Sequence, residues 1–522
     1  MSGTAESDQL ALVRPPVPRR RRSRTPEPVA GEMPVARVLV DVPLAHLDRP
    51  FDYLVPASMA AAAVPGARVS VPFSGHDADG FVLDRAAESA HQGRLARLRR
   101  VVSAEPALAP EIARLARAVA DRYAGTVADV LRLAVPPRHA TVEREVPASP
   151  PPDRPDRPPA GGWTTHLDGE ALITALASGA SPRAVWNPGP AADWPDLLAR
   201  LVASTLAGGR GALTVLPDGR DVTRVDRALD RLIGPGHHVL LQAGLGPAGR
   251  YRRWLAVRRG AVPAVVGTRA AMFAPVRDLG LVVVWDDGDD LHAEQRAPYP
   301  HVREVLLLRA HLENTGAVVG GFARTAEAEQ LIRSGWARPV EPARADVRRN
   351  APRTRATGDD YDRTRDPAAR TARLPSAAWR AIRAGLRAGP VLVQVPRTGY
   401  VPALACARCR HRARCPACHG PLAIDRGGQP ATCGWCGRAA SPWSCPVCGH
   451  GSMRAVSVGA RRTAEELGRA FPGVPVRSSG GSGVLADVPD APALVVATPG
   501  AEPVAAGGYA AAILLDGQRL LA

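Results

Sequence analysis

All eight cysteines of the 522-residue chain fall between positions 406 and 448, and all stand in Cys-x-x-Cys pairs: Cys406/Cys409, Cys415/Cys418, Cys433/Cys436 and Cys445/Cys448. Each short pair turns two thiolates toward one point, and two pairs close a four-sulfur shell around Zn²⁺ with no position left for water. Four pairs therefore imply two structural zinc ions. A disulfide framework would use more varied spacings in a secreted chain, and redox Cys-x-x-Cys motifs come singly. The fourteen residues between Cys418 and Cys433 suit a zinc-ribbon hairpin, which puts the two inner pairs on one ion and the two outer pairs on the other. Sequential pairing leaves loops of five and eight residues, which is tighter but not forbidden. His411, His419 and His450 stand nearby as substitute ligands, although eight thiolates already suffice. Trp435, Trp443 and the arginines at 408, 410, 412 and 414 offer contacts to nucleic acid or protein.

What is missing is equally informative. The 67 basic residues are all arginine; the chain contains no lysine. That excludes a P-loop that grips phosphates with its own Lys, a pyridoxal-phosphate Schiff base and any Lys nucleophile. Gly244, Gly246 and Gly249 satisfy G-x-G-x-x-G between a strand and a helix, but no acid follows the next strand to take a ribose, so NAD or FAD binding is not expected. With 50 acidic residues the formal charge is +17, which favours a polyanionic partner, although general enrichment in Ala, Arg, Gly and Pro produces the same balance.

These groups must be held by several domains, as the length implies. Residues 1–33, with Arg19 to Arg22 and Arg24 among prolines, read as a disordered basic tail, not a secretory signal. Apolar alternation from Met33 to about Asp84 predicts a β-rich domain, and Ile112, Leu115, Val119 and Tyr123 mark a helix face within 34–145. Residues 146–162 read as a Pro-rich linker. From Trp163 short apolar runs alternate with helical segments, which predicts a parallel sheet over 163–341. An Arg/Asp-rich linker over 342–373 leads to a second α/β lobe at 374–522, with the cysteine insertion at 403–453. No apolar run reaches the roughly 18 residues of a bilayer span, so no membrane is expected as partner and a cytoplasmic, nucleoid-associated location is expected.

FDYLVP at 51–56, VVGTRAAMFAP at 265–275 followed by a strand and an acidic run, and PRTGY leading into the cysteines occur in an order that resembles the PriA family of replication-restart helicases (primosomal protein N′), within superfamily 2. The resemblance covers about residues 34–522. It implies an N-terminal domain that captures a DNA 3′ end, two RecA-like parallel-sheet lobes and a zinc-ribbon insertion in the second. Carried onto this sequence, the DNA-binding positions are Phe51, Asp52 and Tyr53, with Arg99 where the family uses a basic residue. Ser74 replaces a glycine of that pocket. The implied partners are forked or single-stranded DNA, other primosome proteins, the replicative helicase and single-strand-binding protein.

The departures concern ATP. Where the family has its Gly-Lys-Thr loop this chain reads Asn187-Pro188-Gly189-Pro190-Ala191-Ala192-Asp193, and two prolines remove amide donors from the phosphate cradle. The Asp-Glu-Glu-His box reads Trp285-Asp286-Asp287-Gly288, and the Ser-Ala-Thr motif reads Gly321-Phe322-Ala323. Phosphoryl transfer needs positioned cations and a held metal, so no catalytic residue is assigned, ATP and Mg²⁺ are doubtful cofactors, and hydrolysis is not expected. Asp286 and Asp287 read as a solvated turn with a stray Mg²⁺ as the alternative. An active 3′-to-5′ helicase and a zinc-stabilised protein adaptor are the competing readings. A longer relative is expected to continue past Ala522.

Overall fold

The computed structural model describes residues 27–145, 150–357, 374–396, 403–409, 411–424, 430–457, 459–481 and 483–517. The chain forms two compact units that divide at Pro352/Arg353. Arg19 to Arg22, Arg24, Arg410 and the Arg397–Tyr400 part of PRTGY lie outside the described residues. Among the described residues no helix is long and apolar enough to cross a membrane.

The first unit opens with an antiparallel sheet of β1 (Val35–Val40), β2 (Phe51–Leu54), β3 (Ala67–Phe73), β4 (His76–Ala86) and β5 (Arg100–Pro106), in the order β2-β1-β4-β3-β5. Period-two alternation sends Ala36, Val38, Val40, Val69 and Val71 to one apolar core, while Leu39 and Phe81 join the core under the helices. Those helices are α1 (Pro110–Arg122), α2 (Val127–Ala134) and α3 (Ala140–Glu143). Pro110 opens α1, and the hydroxyl of Thr126 caps α2 by accepting from the Asp129 amide. The expected tail ends earlier than residue 33: Ala30 is buried and its amide donates to Val55, so at least 27–33 belong to this sheet's surroundings.

A seven-stranded parallel sheet follows, with β6 (Arg183–Trp186), β7 (Gly211–Val215), β8 (His238–Leu241), β9 (Ala264–Gly267), β10 (Leu279–Trp285), β11 (Gly316–Gly320) and β12 (Arg338–Val340). The order is β12-β6-β11-β10-β7-β9-β8. Every residue of LGLVVVW in β10 is buried, as a strand covered by helices on both faces requires. One face is covered by α4 (Gly169–Ala177), α5 (Trp194–Ala207) and α6 (Gly219–Ile233), and the other by α7 (Gly246–Arg258) and α8 (Val302–Leu312), with α9 (Ala326–Arg333) leading into β12.

The N-terminal helices and this sheet share one apolar core, beside cores that belong to the N-terminal sheet and to the parallel sheet alone. Arg259 pairs with Glu105 at 2.9 Å, and Tyr251 donates to Glu143 at 2.5 Å, across the same boundary. The expected linker 146–162 is not free either. Arg157 donates to Thr174, Pro158 is buried, and Trp163 anchors the segment with its indole donating to Leu197. Within 342–373, Arg344–Asn350 is helical (α10), and 358–373 lie outside the described residues.

The second unit holds a four-stranded parallel sheet ordered Val476–Ser479, Leu494–Ala497, Val391–Gln394 and Ala511–Leu514. The cysteine module is inserted between the Val391–Gln394 strand and the helix Ala460–Ala470. Ala403–Cys406 pairs antiparallel with Met453–Ser457 and closes the base of the insertion.

Candidate nucleic-acid interface and metal centres

Antiparallel pairing fixes the N-terminal site. In the β1–β2 register Phe51, Asp52 and Tyr53 stand opposite Val38, Arg37 and Ala36, so Asp52 projects to the face opposite its two aromatic neighbours. Phe51 is half-buried and meets Phe73 edge-on at 5.1 Å, with the Arg49 guanidinium 5.2 Å over its ring. Tyr53 is buried; its hydroxyl donates to the Pro72 carbonyl at 3.3 Å, and burial pushes its pKa up to about 12. Asp52 stays half-exposed and accepts from the Ser89 hydroxyl at 2.5 Å. Arg99 is exposed and pairs with Asp77 at 3.1 Å. Between Phe73 and His76 the chain turns at Ser74 and Gly75, with φ of +48° and +85°. Ser74 thus holds a backbone state that glycine would take without strain. Phe73, Ser89 and Arg49 were missed by sequence reasoning; only RVSVPF carried a signal, and it marked a strand.

The second candidate region is the crevice at the carboxyl ends of β6, β11 and β10, the place where open parallel sheets bind ligands. Trp194, at the start of α5, stacks on Trp285 at 4.5 Å with planes 13° apart. Trp186 lies 5.2 Å from Trp285, and Phe322 meets it edge-on at 5.7 Å. Arg224 sits 4.6 Å over the Trp194 ring. Asn187 is tied down from both ends of its amide: it donates to the Gly321 carbonyl and accepts from Arg324, each at 2.8 Å.

Asp287 is not in a solvated turn. It is 2% exposed, and its Oδ2 accepts from Arg303 at 2.8 Å and from the Thr325 hydroxyl at 2.7 Å. A carboxylate buried this deeply needs a paired cation, and Arg303 supplies it. Asp286, which precedes it at the end of the strand, is exposed as a solvated turn would have it, with φ +54° and an indole at position 285.

In the cysteine module the structure groups Cys406, Cys409, Cys445 and Cys448, and separately Cys415, Cys418, Cys433 and Cys436, with the sulfurs of each set within 4.8 Å of one another. This is the nested arrangement. The Sγ–Sγ separations are 3.5 Å for Cys406–Cys448 and Cys409–Cys445, 3.8 Å for Cys415–Cys436 and 3.4 Å for Cys418–Cys433. Four sulfurs at a tetrahedral metal, each about 2.3 Å from it, stand about 3.8 Å apart, so each set could hold one metal ion. The Cys436 amide, opposed by burial and helped by the Trp435 amide, holds the Cys433 thiol down at about 6. His411 and His419 are exposed, and neither they nor His450 joins a tetrad. Trp443 is only 7% exposed and donates to the Arg414 carbonyl, which withdraws it from contact with a partner; Trp435 is 71% exposed.

Residues 37–136 match the family described as 3′DNA-binding domain (3′BD). The chain is 55% identical over 481 residues to the probable replication restart protein PriA of Mycobacterium tuberculosis, covering 91% of this chain and 73% of that one. The chain belongs to the replication restart protein PriA family. The probable PriA of Mycobacterium leprae is likewise 55% identical over 482 residues, with 91% and 74% covered. That of Deinococcus radiodurans is 31% identical over 323 residues, with 58% and 34% covered. The 3′DNA-binding match spans β1 through α2 and contains Phe51, Asp52, Tyr53 and Arg99. The chain therefore carries a recognised DNA-binding module in the same compact unit as the buried indole stack.

Proposed function

We propose that the protein is a replication-restart factor that binds DNA at stalled or abandoned forks and promotes helicase reloading without hydrolysing ATP. The observation that carries this reading is the coexistence, in one compact unit, of the 3′DNA-binding module at 37–136 and the Trp194–Trp285 stack in the crevice. An indole pair offers neither the amides nor the cation that a triphosphate needs, and Asp287 is engaged by Arg303. In this reading Asp52 meets the terminal 3′ nucleotide, Phe51 and Tyr53 shape its pocket, and Arg99 contacts phosphate. The two tetrads hold structural Zn²⁺ and build the module; they supply no open coordination position. Primosome proteins, the replicative helicase and single-strand-binding protein are the proposed partners, and the cytoplasm around the nucleoid is the proposed location.

The test is fork binding across a salt series, with the leading-strand 3′ end free or blocked, beside ATP turnover on the same sample. Preference for the free end with no turnover above background is the expected result. Vigorous turnover that persists through purification overturns the non-hydrolysing assignment, and equal binding to any polyanion overturns the fork assignment.

A further inference from the structure

Nine tryptophans are present, and Trp435 alone is exposed; the others are buried or half-buried. A lone indole at 71% exposure on a module of this size costs solvation that its position does nothing to recover internally. It is nevertheless held firmly. Trp435 sits between Cys433 and Cys436, its amide donates to Cys433 Sγ at 3.4 Å, and the Gly437 amide closes the same turn on the Cys433 carbonyl. The ring rests on Gly420: a Cβ there would come within 3.0 Å of Trp435 Cγ and Cδ2, and within 2.7 Å of Cys433 Sγ. Only glycine lets the indole lie so close, which leaves the rest of the ring presented to solvent.

The surroundings are basic. Between Ala403 and Ser457 the chain has seven arginines and a single acid, Asp425. Two Zn²⁺ held by eight thiolates carry a net charge of about −4, so the module stays positive by about +2 even when loaded. Arg438 follows the indole on the same turn, and Arg414 reaches the chain next to the glycine beneath it. The Arg414 guanidinium donates to the His419 carbonyl, next to Gly420, at 3.0 Å, and the Arg438 carbonyl accepts from the Cys433 amide at 2.9 Å. Both side chains are exposed.

We infer that Trp435 is a stacking platform for an unpaired nucleobase, with Arg414 and Arg438 meeting the adjoining phosphates. A fixed flat ring beside cations matches single-stranded nucleic acid, whose bases all present a π-face and whose backbone is anionic. A protein partner fits less well: such contacts centre on a contiguous apolar patch, whereas the exposed chain neighbours of Trp435 are Gly434, Cys436, Gly437, Arg438 and Ala439. The inference rests on the DNA-binding reading above and gives it a second contact point, outside the 3′DNA-binding module.

The experiment uses the full zinc-loaded chain, with zinc content measured on every variant. Binding to labelled oligo-dT, to the same-length abasic oligonucleotide and to a fork with a free 3′ end is followed by fluorescence anisotropy. Wild-type protein should prefer oligo-dT over the abasic strand by about ten-fold, the scale of one stacked base. Trp435→Leu should erase that preference, and Trp435→Phe should keep most of it; a merely apolar contact would instead tolerate Leu. Arg414→Ala should weaken all three probes alike and flatten the salt dependence. If wild type discriminates no bases, or Trp435→Leu with its zinc intact still does, the platform is overturned while fork binding stands. If wild type ignores the fork as well, the DNA-binding reading itself has failed. Since the dT-against-abasic comparison is made first on wild type, a variant that loses zinc does not remove the test.

Discussion

The crevice of the first unit and the cysteine module of the second treat the same problem in opposite ways. Both belong to sites whose chemistry depends on charged groups held close together. In the module all eight charges are thiols set at metal-ligand spacing, with sulfurs 3.4 to 3.8 Å apart. In the crevice the charge is answered from within: Arg303 meets Asp287, Arg324 holds Asn187, and Trp194 stacks on Trp285. The module is incomplete without an external cation, whereas the crevice is already satisfied. The seven-stranded sheet thus surrounds charged side chains that already pair with one another.

The largest expected effect follows from the module's dependence on metal. Cys433→Ser should lower the zinc content from two equivalents to one and expose the segment around Leu422–Cys433 to protease. Structural zinc commonly contributes about 10 kcal/mol or more to folding small domains. Two equivalents retained by Cys433→Ser would break the contrast, since that ligand would then be dispensable.

In the crevice the matching experiment removes an internal partner. Arg303 is nearly buried, and Asp287→Ala would leave it with Glu327, whose own side chain is 58% exposed, and with Glu304 at 3.5 Å. Breaking a buried pair from one side costs about 3 to 5 kcal/mol. Denaturant unfolding should report that loss, with no change in zinc content. A loss below about 1 kcal/mol would mean that Glu327 substitutes and that Asp287 is not the group that closes the crevice.

The acids at the start of α6 sharpen the same point. Burial, then the nearby Asp218 charge, pushes Asp221 up to about 6, with Asp286 across the crevice adding to it. The folded pKa lies above the unfolded value near 3.8, so the folded state prefers the proton, and stability falls as pH rises from about 4 through 6. Asp221→Asn should therefore stabilise the first unit by about 3 kcal/mol at pH 7.5 and by only about 0.5 kcal/mol at pH 4. Thermal unfolding at the two values separates this from a general effect of the substitution.

How far the sequence foretold these regions depends on the distance between the cooperating residues. The tetrads were legible because each pair of ligands is three residues apart and the hairpin between Cys418 and Cys433 is local. β10 was legible because a continuous apolar run has few other uses. The Asp287–Arg303 pair spans sixteen positions and a helix start, and nothing in either neighbourhood announces the other. Trp186, Trp194 and Trp285 come together only when the parallel strands bring their ends into one crevice, so an indole at position 285 could be read from the sequence but its stacking partners could not. Trp435 and Trp443 illustrate the limit: both stand next to cysteines, yet folding exposes one and buries the other.

The smallest expected effect lies at the N-terminal site, where the roles proposed for two residues are separable. Arg99 and Asp77 are both more than half exposed, so their 3.1 Å pair contributes little to stability, and Arg99→Ala should leave the unfolding midpoint nearly unchanged. If Arg99 meets phosphate, the substitution weakens fork binding about two- to five-fold and reduces the slope of log K against log salt by about one, equally for free and blocked ends. Asp52 differs, because its carboxylate carries no attraction for phosphate and its neighbour Ser89 already donates to it. Asp52→Ala should leave the salt slope alone and narrow the gap between free and blocked 3′ ends. Should Arg99→Ala alter end preference and Asp52→Ala alter the slope, the two roles would be exchanged, and the β2 strand would be contacting backbone instead of reading a terminus.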